Sequence, residues 1–319
     1  MDLERIVNQR VRAVPPSGIR RFFDIVAEMP EAISLGVGEP DFITPWHIRD
    51  AAITSIEDGL TQYTSNWGRI QLRSLIAEYI RRRCHVEYDP AEEILVTIGA
   101  SEGIDLCLRA LCSPGDEVLI PEPSYVSYAP GVTFAGAEPR PIVTRFEEEF
   151  RLSAQALRAA ITPRTKALIL PYPNNPTGSI MRREDLEAIA DVLRDTDIVV
   201  IADEIYSELT YGGLEHVSFP SIPGMWERTV LLNGFSKAFA MTGWRVGLRL
   251  RAEGAAVDHV QDSSVHDHVR LHPGADRGGG SALAGPSKRL RGRQEHGAQL
   301  RPPPPADGGR VQKDGASLL

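Results

Sequence analysis

Between about residue 31 and residue 247 the chain alternates two kinds of apolar pattern. Leu75–Arg83, Gly103–Leu111 and Arg183–Leu193 repeat apolar residues at helical spacing. Among them stand short apolar runs at Ile94–Ile98, Glu117–Ile120, Ala167–Leu170, Ile198–Ala202 and Thr229–Leu232, bounded by Gly, Pro or charge. A half-exposed strand would alternate apolar and polar residues; these runs do so little, which predicts strands covered on both faces. The fold class expected is therefore α/β, with a mostly parallel sheet between helices. Such folds bind ligands beyond the carboxyl ends of their strands. Residues 1–30 read as a short amphipathic arm, broken at Val14-Pro15-Pro16-Ser17-Gly18, with a second helix expected over Ile19 to Met29.

The pattern stops near residue 248. Residues 249–319 contain no Phe, Tyr, Trp, Ile, Met or Cys, yet hold five of the eight histidines and a run of Pro302–Pro305. Such a segment buries too little apolar surface to offset its ordering entropy, so composition predicts a disordered tail. Composition changes the rest of the picture only by exclusion. A net charge of −8 gives no footprint for nucleic acid or an anionic membrane. Cys84, Cys107 and Cys112 are too few and too irregular for a disulfide framework or a zinc site, and no metal is expected. No apolar run approaches the ~20 residues of a membrane span. The start, Met-Asp-Leu-Glu-Arg, lacks a signal-peptide pattern. A cytoplasmic protein is the expectation.

Four motifs carry candidate chemistry, each at the end of an apolar run. The first is Asn233-Gly234-Phe235-Ser236-Lys237, with Arg245 eight residues on. A lysine desolvated among small residues loses basicity and becomes nucleophilic toward an aldehyde. Arg245 offers a fork suited to a phosphate. Taken alone, Lys237 reads more readily as a solvated surface lysine. The second is Asp203-Glu204-Ile205-Tyr206. An acid ending a buried strand needs a cationic partner, and a protonated pyridine nitrogen is one; a helix N-cap role for Asp203 is the competing reading. The third, Tyr172-Pro173-Asn174-Asn175-Pro176-Thr177-Gly178, is a turn that can present an Asn amide, and is common as a bare turn. The fourth, Gly99-Ala100-Ser101-Glu102-Gly103, leaves backbone N–H groups free at a helix start for a phosphate, without the lysine of a P-loop. Tyr125 follows another run and can stack on an aromatic ring, or serve as an ordinary core or surface aromatic.

Together, in this order, these motifs resemble the class I aminotransferases of the fold-type I pyridoxal-phosphate superfamily, nearest the aspartate and aromatic amino-acid subgroup. The resemblance runs from about residue 5 to 247 and includes Leu35-Gly36-Val37-Gly38-Glu39-Pro40-Asp41-Phe42. It implies pyridoxal 5′-phosphate as cofactor, carried covalently by Lys237, which also shuttles the substrate's Cα proton. It assigns Asp203, Tyr206 and Asn175 to the ring nitrogen and ring oxygen. Ala100, Ser101, Ser236 and Arg245 would hold the phosphate, and Tyr125 would stack on the ring. Gly38, with Asn175, would lie at the substrate carboxylate, and Tyr63 would reach the phosphate of a second subunit, making a homodimer. The implied reaction moves an amino group between an L-amino acid, aspartate or aromatic, and a 2-oxo acid. A carbon–sulfur lyase on the same fold and an inactive truncated pseudo-enzyme are the alternatives.

The same resemblance divides the chain into an arm on the small-domain side (1–30), a cofactor-binding large domain (31–247) and an aberrant tail (248–319). The family continues past this point with a strand, a long helix and a small domain bearing a carboxylate-clamping arginine, which the tail does not match. A frameshift is expected to be the cause. Synonymous codings of residues 247–270 and 300–312, read one base later, translate into apolar and basic runs resembling that continuation. A chain of this kind is expected to be poorly stable and weakly active.

Overall fold

The computed structural model describes residues 6–15, 25, 28–29, 31 and 38–252. The helix expected over Ile19 to Met29, and the tail from residue 253, lie almost wholly outside these residues. Of the arm, Gln9–Ala13 forms a helix whose first turn is capped by the Asn8 side chain, which accepts from the Arg10 N–H at 2.8 Å.

Among the described residues seven strands form one sheet: β1 Ile94–Thr97, β2 Glu117–Glu122, β3 Glu138–Val143, β4 Thr165–Leu170, β5 Val199–Asp203, β6 Thr229–Gly234 and β7 Gly247–Leu250. Their order is β1-β7-β6-β5-β4-β2-β3. Only β7 runs against its neighbours; the pairs β2–β3, β2–β4, β4–β5 and β5–β6 are parallel. This is the mostly parallel α/β sheet that the apolar runs predict. Alternation along each strand feeds two separate cores. Leu168, Leu170, Val200, Ala202 and Leu231 face one layer, closed by Leu72, Ile76 and Ile80 of helix Ile70–Cys84 and by Leu186, Ile189 and Leu193 of helix Arg183–Leu193. Ala167, Ile169, Val199, Ile201, Val230 and Leu232 face the other, closed by Ile104, Cys107, Leu108 and Leu111 of helix Gly99–Leu111 and by Tyr128 and Val132 of helix Tyr128–Ala135.

Three helices and two strands carry weaker signals than those above. Trp46–Glu57 leaves Trp46, Ile53 and Ile56 exposed, which blurs its periodicity. Tyr128–Ala135 and Ala154–Ala160 are too short to show a period. Strand β3 contains two prolines, tolerable because it lies at the sheet edge. Strand β7 extends the sheet to Leu250, three residues past Gly247. Its inward alternation reads Leu248 and Leu250 on one face but Arg249 on the other, at 3% exposure and beside Cys107. A charged residue in that place hides the strand from an apolar-run search.

Candidate active site

The sheet carries its chemistry along one edge. Every parallel strand from β2 to β6 points its carboxyl end to that edge, and the antiparallel β7 begins there. Thr97 of β1 and Gly234 of β6 both pair with Gly247, and Asp203 of β5 pairs with Leu232 of β6. The four motifs therefore converge although up to 138 positions separate Gly99 from Lys237 in the chain. The turn after β1 starts helix Gly99–Leu111, the turn after β2 holds Tyr125, the turn after β4 holds Asn175, and Asp203 ends β5. Lys237 lies in the short helix Phe235–Ala238 directly after β6.

Lys237 is half-buried, and its Nζ donates to the Gly38 carbonyl while sitting 5.4 Å from the centre of the Tyr206 ring. Burial lowers its pKa; Glu39 opposes that shift, and Arg245 adds to it. This is a desolvated amine rather than a solvated surface lysine. Asn175 Nδ2 donates to the Tyr206 hydroxyl at 3.4 Å, and a side chain on Gly38 would point toward that same hydroxyl. Gly38, Asn175, Tyr206 and Lys237 are thus one cluster.

Asp203 lies behind the cluster, 5% exposed. No helix follows it, so it is not an N-cap: its Oδ1 accepts the Ile205 N–H at 3.3 Å, and its Oδ2 accepts the Tyr128 hydroxyl at 2.8 Å. Burial raises its pKa above the ordinary carboxylate range; the Tyr128 and Ile205 donors pull it back, and Glu204 pushes it up. Burial and Asp203 likewise raise the Tyr206 phenol. The neighbouring Glu204 turns to another task, accepting His216 Nε2 at 2.7 Å and the Phe219 N–H at 2.9 Å, which ties down the loop beyond the site.

Of the residues expected at a phosphate, Gly99's neighbours Ala100 and Ser101 open helix Gly99–Leu111, and Arg245 faces its start. Gly99 adopts φ +72°, and a Cβ there would overlap the Arg245 guanidinium. Ala100 and Ser101 follow in the first turn, whose N–H groups have no partner inside the helix. Arg245 is itself held at φ 55°, and its Nη1 donates to the Thr242 carbonyl at 3.1 Å. Ser236 is buried beside Lys237 in sequence and in space. A helix start with glycine at its first position, facing a guanidinium, has the charge and the open backbone that a phosphate requires. The residues present therefore fit a phosphate-bearing aldehyde cofactor.

The profile of the family described as aminotransferase class I and II matches residues 30–266. The chain belongs to that family. This aminotransferase-family chain is 48% identical over 241 residues to an aspartate aminotransferase of Pyrococcus abyssi, covering 76% of this chain and 62% of the relative. It is 44% identical over 241 residues to aromatic-amino-acid aminotransferase 2 of Thermococcus litoralis, with 76% and 62% covered. The crystal structure of the aromatic aminotransferase from Pyrococcus horikoshii superposes with a TM-score of 0.73 at 41% identity, covering 82% of this chain and 70% of that one. The chain thus spans less than two thirds of the length of these curated relatives.

Tyr63, another anticipated site residue, is 86% exposed in the single chain. Two contributors were not anticipated. Tyr128 bonds Asp203 from the far side; its position three residues after Tyr125 is the only sequence signal for it. Gly247 packs backbone to backbone on the Gly99–Ala100 turn, and a Cβ there would fall 2.5 Å from the Ala100 nitrogen and 2.8 Å from the Gly99 Cα. Its place at the start of β7 hid that role, because β7 itself had not been predicted.

Proposed function

We propose that this chain catalyses amino transfer between an L-amino acid and a 2-oxo acid using pyridoxal 5′-phosphate. The observation that carries the reading is the half-buried, base-weakened Lys237 set beside the Gly99–Arg245 cradle. Bound there, the cofactor supplies an aldehyde for the amino group and a ring that withdraws electrons from the substrate's Cα. Lys237 would hold the aldehyde carbon and, once displaced by a substrate amine, carry the Cα proton. Asp203 would face the ring nitrogen, Tyr206 and Asn175 the ring oxygen, and Tyr125 the ring plane. Ala100, Ser101, Ser236 and Arg245 would hold the phosphate, and Gly38 would border the substrate carboxylate.

Aspartate or an aromatic amino acid is the substrate class favoured, since aspartate and aromatic aminotransferases stand among the relatives. A homodimer is part of the proposal, with Tyr63 completing the partner's phosphate site. Phe42, Ile43, Trp46, Ile53 and Ile56, all exposed in the segment before Tyr63, support a covering partner. The cytoplasm is the proposed location; no helix among the described residues is long and apolar enough to cross a membrane.

The test is chemical. After incubation with pyridoxal phosphate and borohydride reduction, peptide mapping should find the cofactor mass on Lys237 and not on Lys166, the other lysine of the described region. Turnover of the amino acid should require an added 2-oxo acid. Keto-acid release beyond one equivalent per site without an acceptor, with ammonia released alongside, would replace transfer by elimination, and no mark on Lys237 would end the cofactor reading.

The three-part division of the chain and the frameshift belong to the same proposal. Arg249 and Arg251 are buried, at 3% and 2% exposure, and Arg249 occupies the layer where β5 and β6 carry Val199, Ile201, Val230 and Leu232. Both have partners, Arg249 at Cys107 and Arg251 at the Ala252 carbonyl (3.0 Å); what supports a foreign reading frame from about codon 248 is the change of composition there, with no Phe, Tyr, Trp, Ile, Met or Cys in residues 249–319. Sequencing the coding DNA should find a gained or lost base there; an intact gene with no gained or lost base near codon 248 would refute it.

A further inference from the structure

Asp203 has two carboxylate oxygens, and a different element holds each. The Ile205 N–H on its own turn reaches Oδ1 at 3.3 Å, while the Tyr128 hydroxyl, from the first residue of helix Tyr128–Ala135, reaches Oδ2 at 2.8 Å. The second bond is the shorter, and it joins two nearly inaccessible groups: Tyr128 is 3% and Asp203 5% exposed. In such a place a hydroxyl donating to a carboxylate is stronger than a bond between neutral groups. The phenol also keeps its proton. Burial and the adjoining Asp203 push its pKa well above the ordinary tyrosine value, so it remains a donor throughout the working range. The Tyr128 ring does a second thing: it meets the Tyr125 ring edge-on, centroids 5.5 Å apart at 81°.

We propose that Tyr128 is a positioning residue for the cofactor ring, fixing the rotation of the Asp203 carboxylate through its hydroxyl and the plane of Tyr125 through its ring edge. The proposal rests on the cofactor reading given above. One buried side chain thereby links the group assigned to the ring nitrogen with the group assigned to the ring face. The titratable groups acting on Asp203 are Tyr128 from its helix and Glu204 and Tyr206 from its own turn. Of these, Tyr128 is the one that favours the ionised carboxylate. Its removal therefore has a sign: the Asp203 pKa must rise further.

The test compares the full wild-type chain with Tyr128→Phe, which keeps the ring and loses the hydroxyl, and with Tyr128→His, which keeps a ring N–H. Asp203 is titrated in the cofactor-free protein by carbon-13 NMR of labelled aspartate, assigned with Asp203→Asn. Cofactor affinity is read separately from the visible absorbance that depends on Lys237. In Tyr128→Phe the Asp203 carboxyl should titrate about one pH unit higher than in wild type, and pyridoxal phosphate should bind about tenfold more weakly. Tyr128→His should recover part of both effects.

An unmoved Asp203 titration overturns the proposal even if affinity falls, because the loss would then come from packing alone. Equal shifts in the Phe and His variants overturn it as well. The titration is read without cofactor, so its failure is distinguishable from failure of the cofactor reading. If wild type takes up no pyridoxal phosphate at Lys237, the cofactor reading fails, and the cofactor half of this proposal falls with it.

Discussion

Lys237→Ala should erase the visible absorbance acquired with pyridoxal phosphate and lower amino transfer by about 1000-fold or more. The proposed roles of Lys237 explain the size: it is both the nucleophile that holds the aldehyde and the base that moves the Cα proton. Loss of a positioned general base alone costs about 10²–10⁴-fold. The fold should survive, because the side chain is only half-buried and is held by a hydrogen bond to the Gly38 carbonyl. A far-ultraviolet spectrum and an unfolding midpoint close to wild type would document that. The charge environment predicts a companion effect. Glu39 raises the Lys237 pKa against the lowering by burial, so Glu39→Gln should let the amine lose its proton at lower pH. The rate of cofactor uptake by Glu39→Gln should then rise at lower pH than in wild type. A Lys237→Ala protein that still acquires the absorbance would place the cofactor on another lysine and dismantle the site as described.

Gly247→Ala should both destabilise the protein, by about 1–3 kcal/mol, and weaken cofactor binding at least about tenfold. The new methyl would meet Ala100 N and Gly99 Cα at 2.5 and 2.8 Å, and both are backbone atoms. Backbone cannot rotate aside as a side chain can. Either β7 leaves its register between β1 and β6, or the phosphate turn moves off the Arg245 guanidinium. Gly103→Ala is the control. There the added methyl meets the Leu232 Cδ2 at 2.8 Å, the tip of a flexible side chain, and the helix interior favours alanine by up to about 1 kcal/mol. Urea unfolding with and without cofactor separates the two effects. Equal losses for both variants would mean that the close approach at Gly247 does not define the cradle.

Most of what is local could be read along the chain. Runs such as Ile198–Ala202 and Ala167–Leu170 announce buried parallel strands because apolar residues on both faces leave no other soluble arrangement. Helix Arg183–Leu193 is legible to the residue, with its acidic first turn of Glu184 and Asp185. The motifs at the strand ends were readable too, since Gly99, Asn175, Asp203 and Lys237 each sit where an apolar run breaks. What those residues do to one another was decided only by the tertiary structure. Lys237 reads as an ordinary lysine until burial among Gly38, Tyr206 and Arg245 weakens its basicity. Asp203 passes for an N-cap until Tyr128, 75 residues earlier, closes on its Oδ2. Strand β7 has no signal of its own: a four-residue segment with an arginine in it becomes a strand because β1 and β6 both offer it hydrogen bonds. The physical reason is common to all three. Apolar periodicity is a property of neighbours along the chain, whereas desolvation, a charge-assisted hydrogen bond and a ladder between two strands belong to neighbours in space.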